Sequence, residues 1–259
     1  MHSKTSKFSK SSKSSKSSQS DHASSSVAQA LIVTIDGPGG VGKSTAAKLL
    51  ARALGVMYLD TGATYRALAH AALLRKLSPV EHVEQLTLLA QRLPLELEPL
   101  KDGSLRVVLE GGDISKEIRT ETVSEAAAQL SQHATVRQAM VELQRRLANP
   151  HGVVVEGRDT GSVVFPQATF KFFLDANPEI RAQRRQWELE RSYGMPVPLV
   201  MVQGQLQLRD ALDRNRRVGP LIRPTGAVEI DTSYLTTEQV VQQMLDHIHR
   251  HRSTTPVTP

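Results

Sequence analysis

The chemistry of this chain is concentrated in one eight-residue run, Gly37-Pro38-Gly39-Gly40-Val41-Gly42-Lys43-Ser44, which matches G-x-x-x-x-G-K-[ST] in full. Glycines let the backbone curl so that successive N–H groups point inward at a phosphate. The helix expected to begin at Lys43 adds the partial positive charge of its N-terminus. Lys43 is placed to bridge the β- and γ-phosphates of a nucleotide and to neutralise charge as a phosphoryl group transfers. The Ser44 hydroxyl suits the shell of a Mg²⁺ ion, which takes few protein ligands and several phosphate oxygens, and Thr45 adds a hydroxyl near the α-phosphate. A chance match would lack the flanking elements. Here an apolar run, Leu31–Asp36, precedes the loop, and a helix-compatible stretch, Lys43–Leu54, follows it. ATP-type nucleotide binding is the direct reading.

Those flanking elements extend into an alternating pattern. Gly55 reads as a helix stop, Val56–Leu59 as a second strand, and Thr61 as the N-cap of a helix from about Ala63 to Arg75. Val153–Glu156, Phe170–Asp175 and Val228–Asp231 are further strands, and helices are expected over Glu179–Tyr193, Gln205–Arg217 and Thr236–Arg250. Strands separated by helices imply parallel pairing through right-handed crossovers, hence an α/β fold with ligands at the carboxyl ends of the strands. One region departs from the alternation. Pro94–Glu98 and Leu105–Glu110 read as a hairpin across Lys101-Asp102-Gly103, and Gly111 to about Pro150 supplies two more helices. Residues 94–150 therefore read as an insertion beside the acceptor side of the sheet.

Composition excludes several classes. Cysteine is absent, so disulfides, thiol nucleophiles and cysteine-based zinc sites are ruled out. No apolar run approaches the roughly 20 residues that span a bilayer, and no contiguous apolar signal core lies near the N-terminus. The formal charge of +6 divides unevenly: residues 1–27 hold five lysines and one aspartate, leaving only +2 for the rest. That balance suits an anionic small-molecule substrate and does not suggest a nucleic-acid groove. The tail, with thirteen serines and lysine at every third position from Lys4 to Lys16, cannot bury enough apolar surface to offset its ordering entropy. It is expected to be disordered, as are residues 253–259, around a domain of residues 28–252. A cytoplasmic location and a monomeric state are the defaults.

The phosphate loop alone does not separate kinases from GTPases and motor ATPases. None of Asn149, Asn177 and Asn215 precedes a lysine, so the N-K-x-D base-reading signature of GTPases is missing. An apolar strand ending in Asp-Glu, as a motor ATPase needs, is missing too. Small-molecule kinases instead need arginines to hold a second anion. Arg66 sits where it could clamp an acceptor phosphate bidentately, and Thr61 where its hydroxyl could reach the same ligand. Tyr65 either stacks on a base or packs into the core. Arg181, Arg184 and Arg185 precede Trp187 on one helix, where i, i+3 and i+4 spacing lets Arg181 share a face with the other two. They read either as a basic surface helix or as part of a lid, residues 178–217, over the ATP phosphates.

Taken in order, I-D-G-P-G-G-V-G-K-S-T, Leu59-Asp60-Thr61-Gly62-Ala63-Thr64-Tyr65-Arg66, Glu117-Ile118-Arg119-Thr120, Glu156-Gly157-Arg158-Asp159 and Asp213-Arg214-Asn215-Arg216 resemble the bacterial cytidylate kinase family from about Leu31 to Ile248. The resemblance implies a nucleoside monophosphate kinase core with an acceptor-domain extension, and transfer of the γ-phosphoryl group of ATP to CMP or dCMP with Mg²⁺. It also implies that Thr61 contacts the cytosine, that Arg119, Arg158 and Arg209 hold the acceptor, and that Gly157 and Asp159 lie at the cytosine or ribose. Asp213 would read the sugar hydroxyls beside Arg216; without the family pattern, Asp213 and Arg214 would read as a solvated helix face. Arg158 and the three lid arginines join Lys43 as the groups implied for charge neutralisation. The sequence departs from the family where Thr61 replaces a common serine, Glu156 a common aspartate and Thr160 a common methionine. A kinase for another acceptor, such as UMP, shikimate or gluconate, and a non-enzymatic nucleotide switch are the alternatives.

Overall fold

A computed structural model describes residues 30–100, 102–148 and 151–252. The readings made for residues 1–27 and 253–259 lie outside the described residues, as does Lys101 of the hairpin turn. The apolar runs form a five-stranded parallel sheet from β1 (Leu31–Asp36), β2 (Met57–Asp60), β6 (Gly152–Gly157), β7 (Phe170–Asp175) and β8 (Val228–Asp231), in the order β2-β6-β1-β7-β8. Strand β1 is central and sandwiched, which is why Val33 and Ile35 are fully buried and the run is apolar on both faces. Its last residue, Asp36, pairs with Gly157 on one side and Phe173 on the other, so β1 and β6 end level while β7 runs on to Asp175. The doubly covered α/β architecture expected from the alternation is the one observed.

Helix α1 (Lys43–Leu54) follows β1 through the glycine-rich loop and ends at Gly55 in the left-handed conformation, as expected. Its apolar stripe, Ala46, Ala47, Leu50 and Ala51, packs with Met244 and Ile248 of α8 (Thr237–Arg252) on the sheet. Burying each large side chain there stabilises the fold by roughly 1.5–3 kcal/mol. A second core joins α2 (Thr61–Leu74), α3 (Val83–Gln91), α4 (Glu121–Leu130) and α5 (Ala134–Leu147) through Leu68, Leu86, Leu130 and Met140. The hairpin forms as β3 (Leu95–Pro99) and β4 (Leu105–Leu109), antiparallel, with β5 (Gly112–Asp113) beside β4. Among the described residues no helix is long and apolar enough to cross a membrane.

Three local expectations are corrected. The N-cap of α2 is Asp60, whose Oδ1 accepts from Ala63 N at 2.8 Å; Thr61 is the first helical residue and its hydroxyl serves another purpose. Helix α3 was not foreseen, because only Leu86 and Ala90 of its nine residues are buried and packing on α5 carries it. Helices α6 (Pro178–Tyr193) and α7 (Leu199–Arg214) form, but α7 starts well before Gln205 and stops short of Arg217. Buried Val202 packs against Ala182 and Leu189 of α6, and this contact holds the added first turn.

Candidate active site

The glycine-rich loop wraps over the N-terminus of α1. Gly40 adopts φ 77°, and a Cβ there would lie 2.8 Å from the Arg181 carbonyl oxygen, so only glycine lets the loop pass α6 this closely. Val41 is anchored in the sheet core, and its carbonyl accepts from Thr232 Oγ1 at 3.0 Å. Lys43 curls back so that Nζ donates to the Pro38 carbonyl at 2.6 Å. Burial, and then the neighbouring Arg158, pull its ammonium down to about 7, against the opposing pull of Glu156. Ser44 and Thr45 are exposed at the mouth, and Ser44 Oγ donates to Glu156 Oε1 at 2.6 Å. The buried Tyr58 hydroxyl donates to the same carboxylate oxygen at 3.3 Å. Burial, with Asp60 adding, raises the Glu156 pKa.

Beyond Lys43 a cleft of about 600 Å³ runs between α2, α4, α5, the end of β6 and α7. Nine cationic side chains line it against five acidic ones, a balance that favours an anionic ligand. Thr61 donates its hydroxyl to the Glu156 carbonyl at 2.8 Å. Arg66 pairs with Asp60 at 2.9 Å, and exposed Arg119 donates to the Ser115 carbonyl at 3.2 Å. Of the two alternatives for Tyr65 the structure shows core packing: the ring packs on the helical core, and it also lines the cleft, with the Arg137 guanidinium 5.8 Å from its centroid.

Two buried ionic groups organise the far wall. Asp213, 1% exposed, draws in Arg158 Nε at 2.8 Å, Arg209 Nε at 3.4 Å and Arg216 Nη1 at 3.5 Å. Burial works against this carboxylate, yet the three guanidiniums outweigh it and hold its pKa below the ordinary value. Arg214 points outward, so the solvated-face reading holds for it and fails for Asp213. Asp159 pairs with buried Arg137 across 22 positions of sequence. Gly219, at φ 61°, lies directly over that pair; a Cβ there would come within 2.2 Å of Asp159 Oδ2. Among the described residues, Arg137 Nε and Arg216 Nε and Nη2 are buried donors without hydrogen-bond partners. Leaving such donors without a hydrogen bond costs roughly 1–3 kcal/mol each, more when charged.

The three arginines of α6 diverge instead of sharing one face. Arg181 is buried, with Nη1 donating to the Gly39 carbonyl at 3.2 Å and to Asp210 Oδ2 at 2.6 Å. Arg185 faces the cleft, 3.3 Å from Glu188 and 3.9 Å from Glu121 of α4. Arg184 turns the other way, where Nη1 donates to Thr232 Oγ1 at 3.1 Å and Nη2 to the Thr232 carbonyl at 2.6 Å. It lines a separate cavity of about 480 Å³ behind the loop, with Gly42, Thr45 and Trp187. Replacing it with alanine is expected to raise the KM for ATP about 10-fold or more, the worth of roughly one charged hydrogen bond, while the acceptor KM stays put. Steady-state kinetics with each substrate varied in turn checks this.

Sequence reasoning missed Arg137, Asp210 and the contact of Glu156 with Ser44. Arg137 had no local mark separating it from Arg145 and Arg146 on the same helix. It also missed Asp36, fully buried, which accepts three hydrogen bonds; burial raises its pKa to about 6 against the pull of those bonds.

The family model described as cytidylate kinase matches residues 33–250. The cytidylate kinase of Yersinia enterocolitica is 42% identical over 223 residues, 86% of this chain and 96% of the relative. That of Caldanaerobacter subterraneus is 43% identical over 219 residues, 85% of this chain and 95% of the relative. A solved shikimate kinase from Bacteroides thetaiotaomicron covers 85% of this chain and 98% of its own at 12% identity and a TM-score of 0.42, a likeness too slight to bear on function. A family match across nearly all of the described fold, with relatives aligned almost end to end, means that the chain belongs to the cytidylate kinase family.

Proposed function

We propose that the protein is an ATP-dependent CMP/dCMP kinase, giving CDP or dCDP plus ADP, and that its acceptor lies against the arginine wall. The observation that carries this reading is the cleft beyond Lys43, lined by nine cationic side chains against five acidic ones. A 5′-phosphate suits such a lining. Its second pKa is about 6, so it is already ionised near neutral pH and no strong general base is needed. In the reaction, an acceptor phosphate oxygen forms a bond to the γ-phosphorus while the bond from that phosphorus to the ADP oxygen breaks. Residues Gly37–Thr45 hold the donor phosphates, and Lys43 leaves the Pro38 carbonyl for the β,γ-bridge. Arg158 and Arg181 flank the loop from either side and neutralise the transferring group. Arg66, Arg119, Arg209 and Arg216 hold the acceptor phosphate, and Thr61, Tyr65, Gly157, Asp159 and Asp213 its base and sugar.

The Ser44 hydroxyl and the Glu156 carboxylate, 2.6 Å apart, are hard oxygen donors of the kind Mg²⁺ takes, so the residues fit the ion. When bound, it would neutralise charge on the β- and γ-phosphate oxygens. Residues 94–150 serve in this reading as the acceptor-binding extension and residues 178–217 as the lid, in a cytoplasmic monomer. The test is coupled ADP release from Mg²⁺-ATP with CMP, dCMP, UMP, AMP, GMP and shikimate supplied separately. Turnover with CMP and dCMP is expected. Turnover with another acceptor alone would overturn the base assignment, and ATP binding without any turnover would replace the enzyme with a nucleotide switch.

A further inference from the structure

Between the end of β6 at Gly157 and the π-helical turn Thr160–Val164 lie only two residues, Arg158 and Asp159, and both face the cleft. The bridge they form is held at one end by the strand. At the other end it is held by Asp36, from a different strand and 124 positions earlier. Asp36 Oδ1 accepts from Thr160 N and Thr160 Oγ1, each at 2.7 Å, and Oδ2 accepts from Gly161 N at 2.7 Å. It thus caps the π-helical turn from outside, taking amides that have no intrahelical partner. Asp36 is also the residue before Gly37, where the donor loop opens. Both Asp36 and Thr160 are fully buried, so neither touches solvent or ligand in the cleft.

We propose that Asp36 is the positioning residue of the acceptor site, fixing Arg158 and Asp159 against the donor loop through its three bonds to Thr160 and Gly161. This rests on reading the cleft as the acceptor site. The carboxylate's geometry gives it this role. With the segment pinned after only two residues, Arg158 stays within 2.8 Å of Asp213, and Asp159 stays paired with Arg137. An amide cannot substitute, because an asparagine at this position must turn either its NH₂ toward the Gly161 N–H or its oxygen away from Thr160, losing at least one bond.

The test compares Asp36→Asn and Thr160→Val with the parent in full kinetics and in calorimetric CMP binding. Thr160→Val is nearly isosteric, removes a single bond and keeps a folded protein available if Asp36→Asn does not fold. Asp36→Asn is expected to raise the CMP KM and Kd about tenfold or more, and Thr160→Val about three- to fivefold, with the ATP KM within twofold of the parent. A merely structural role would lower kcat in proportion to the folded fraction and leave both KM values in place; that result overturns the proposal. Equal rises in the CMP and ATP KM values would do the same. A parent that turns over CMP while neither variant changes its CMP KM sinks the positioning role and leaves the kinase reading intact. A parent that neither binds nor phosphorylates CMP sinks both.

Discussion

Lys43→Met is expected to lower CMP-dependent ADP release by at least about 10²- to 10³-fold, the scale lost when one preorganised electrostatic donor is removed from the transition state. The side chain is 6% exposed and close to the length of methionine, so the substitution removes charge without opening a large cavity. In the free protein, Nζ donates to the Pro38 carbonyl at 2.6 Å, and its loss leaves that acceptor to water or a loop amide. Because burial already lowers the lysine pKa, removing its charge relieves desolvation strain, and thermal stability should hold or rise slightly. A large fall in kcat with an unchanged Tm therefore separates chemistry from folding. Turnover near the parent rate would overturn the placement of the whole site.

The contrast between Lys43 and the arginine wall shows what a sequence exposes. Loop, strand and helix around Lys43 are contiguous, and each residue type is dictated by a local need: a curled backbone, a cation, a hydroxyl. The strands were legible because each is a short apolar run, and β7 and β8 fall on the expected boundaries. The residues that the family motifs imply for the acceptor also line the cleft, but their partners were invisible. Arg158 meets Asp213 across 55 positions, and Asp36 meets Thr160 across 124. No spacing rule joins residues so far apart; the parallel sheet sets Asp36 level with Gly157, and helix α7 carries Asp213 to Arg158. The i, i+3, i+4 rule likewise gave a common face for Arg181, Arg184 and Arg185, and it failed. Long side chains follow available partners, and Asp210, Thr232 and Glu188 lie in different directions. The helix cap read at Thr61 is supplied by Asp60, which accepts from Ala63 N, while the Thr61 hydroxyl donates to the Glu156 carbonyl.

The second large effect is expected at Arg137→Met. Its guanidinium is 2% exposed and its partner Asp159 is 7% exposed, with Gly219 closing over both, so water replaces the lost charge poorly. Removing one member of such a pair typically costs about 3–5 kcal/mol, because the survivor remains buried, here with only Arg216 nearby to offset it. For a fold of this size that corresponds to a fall in Tm of roughly 6–20 °C. Asp159→Asn added to Arg137→Met removes the stranded charge, and part of the loss should return, giving a coupling of more than about 1 kcal/mol in the double-mutant cycle. Additive losses would mean that the pair is incidental to stability. The catalytic readout is separate. Asp159 lies on the two-residue bridge in the cleft proposed for the acceptor, so kcat/KM for CMP should fall about 100-fold in the double variant, whose buried charge is already removed. The KM for ATP should stay near the parent value, since the donor loop keeps its contacts with Arg181 and Thr232. A rise in the ATP KM matching that for CMP would show that Arg137 supports the fold as a whole and gives the acceptor no particular help.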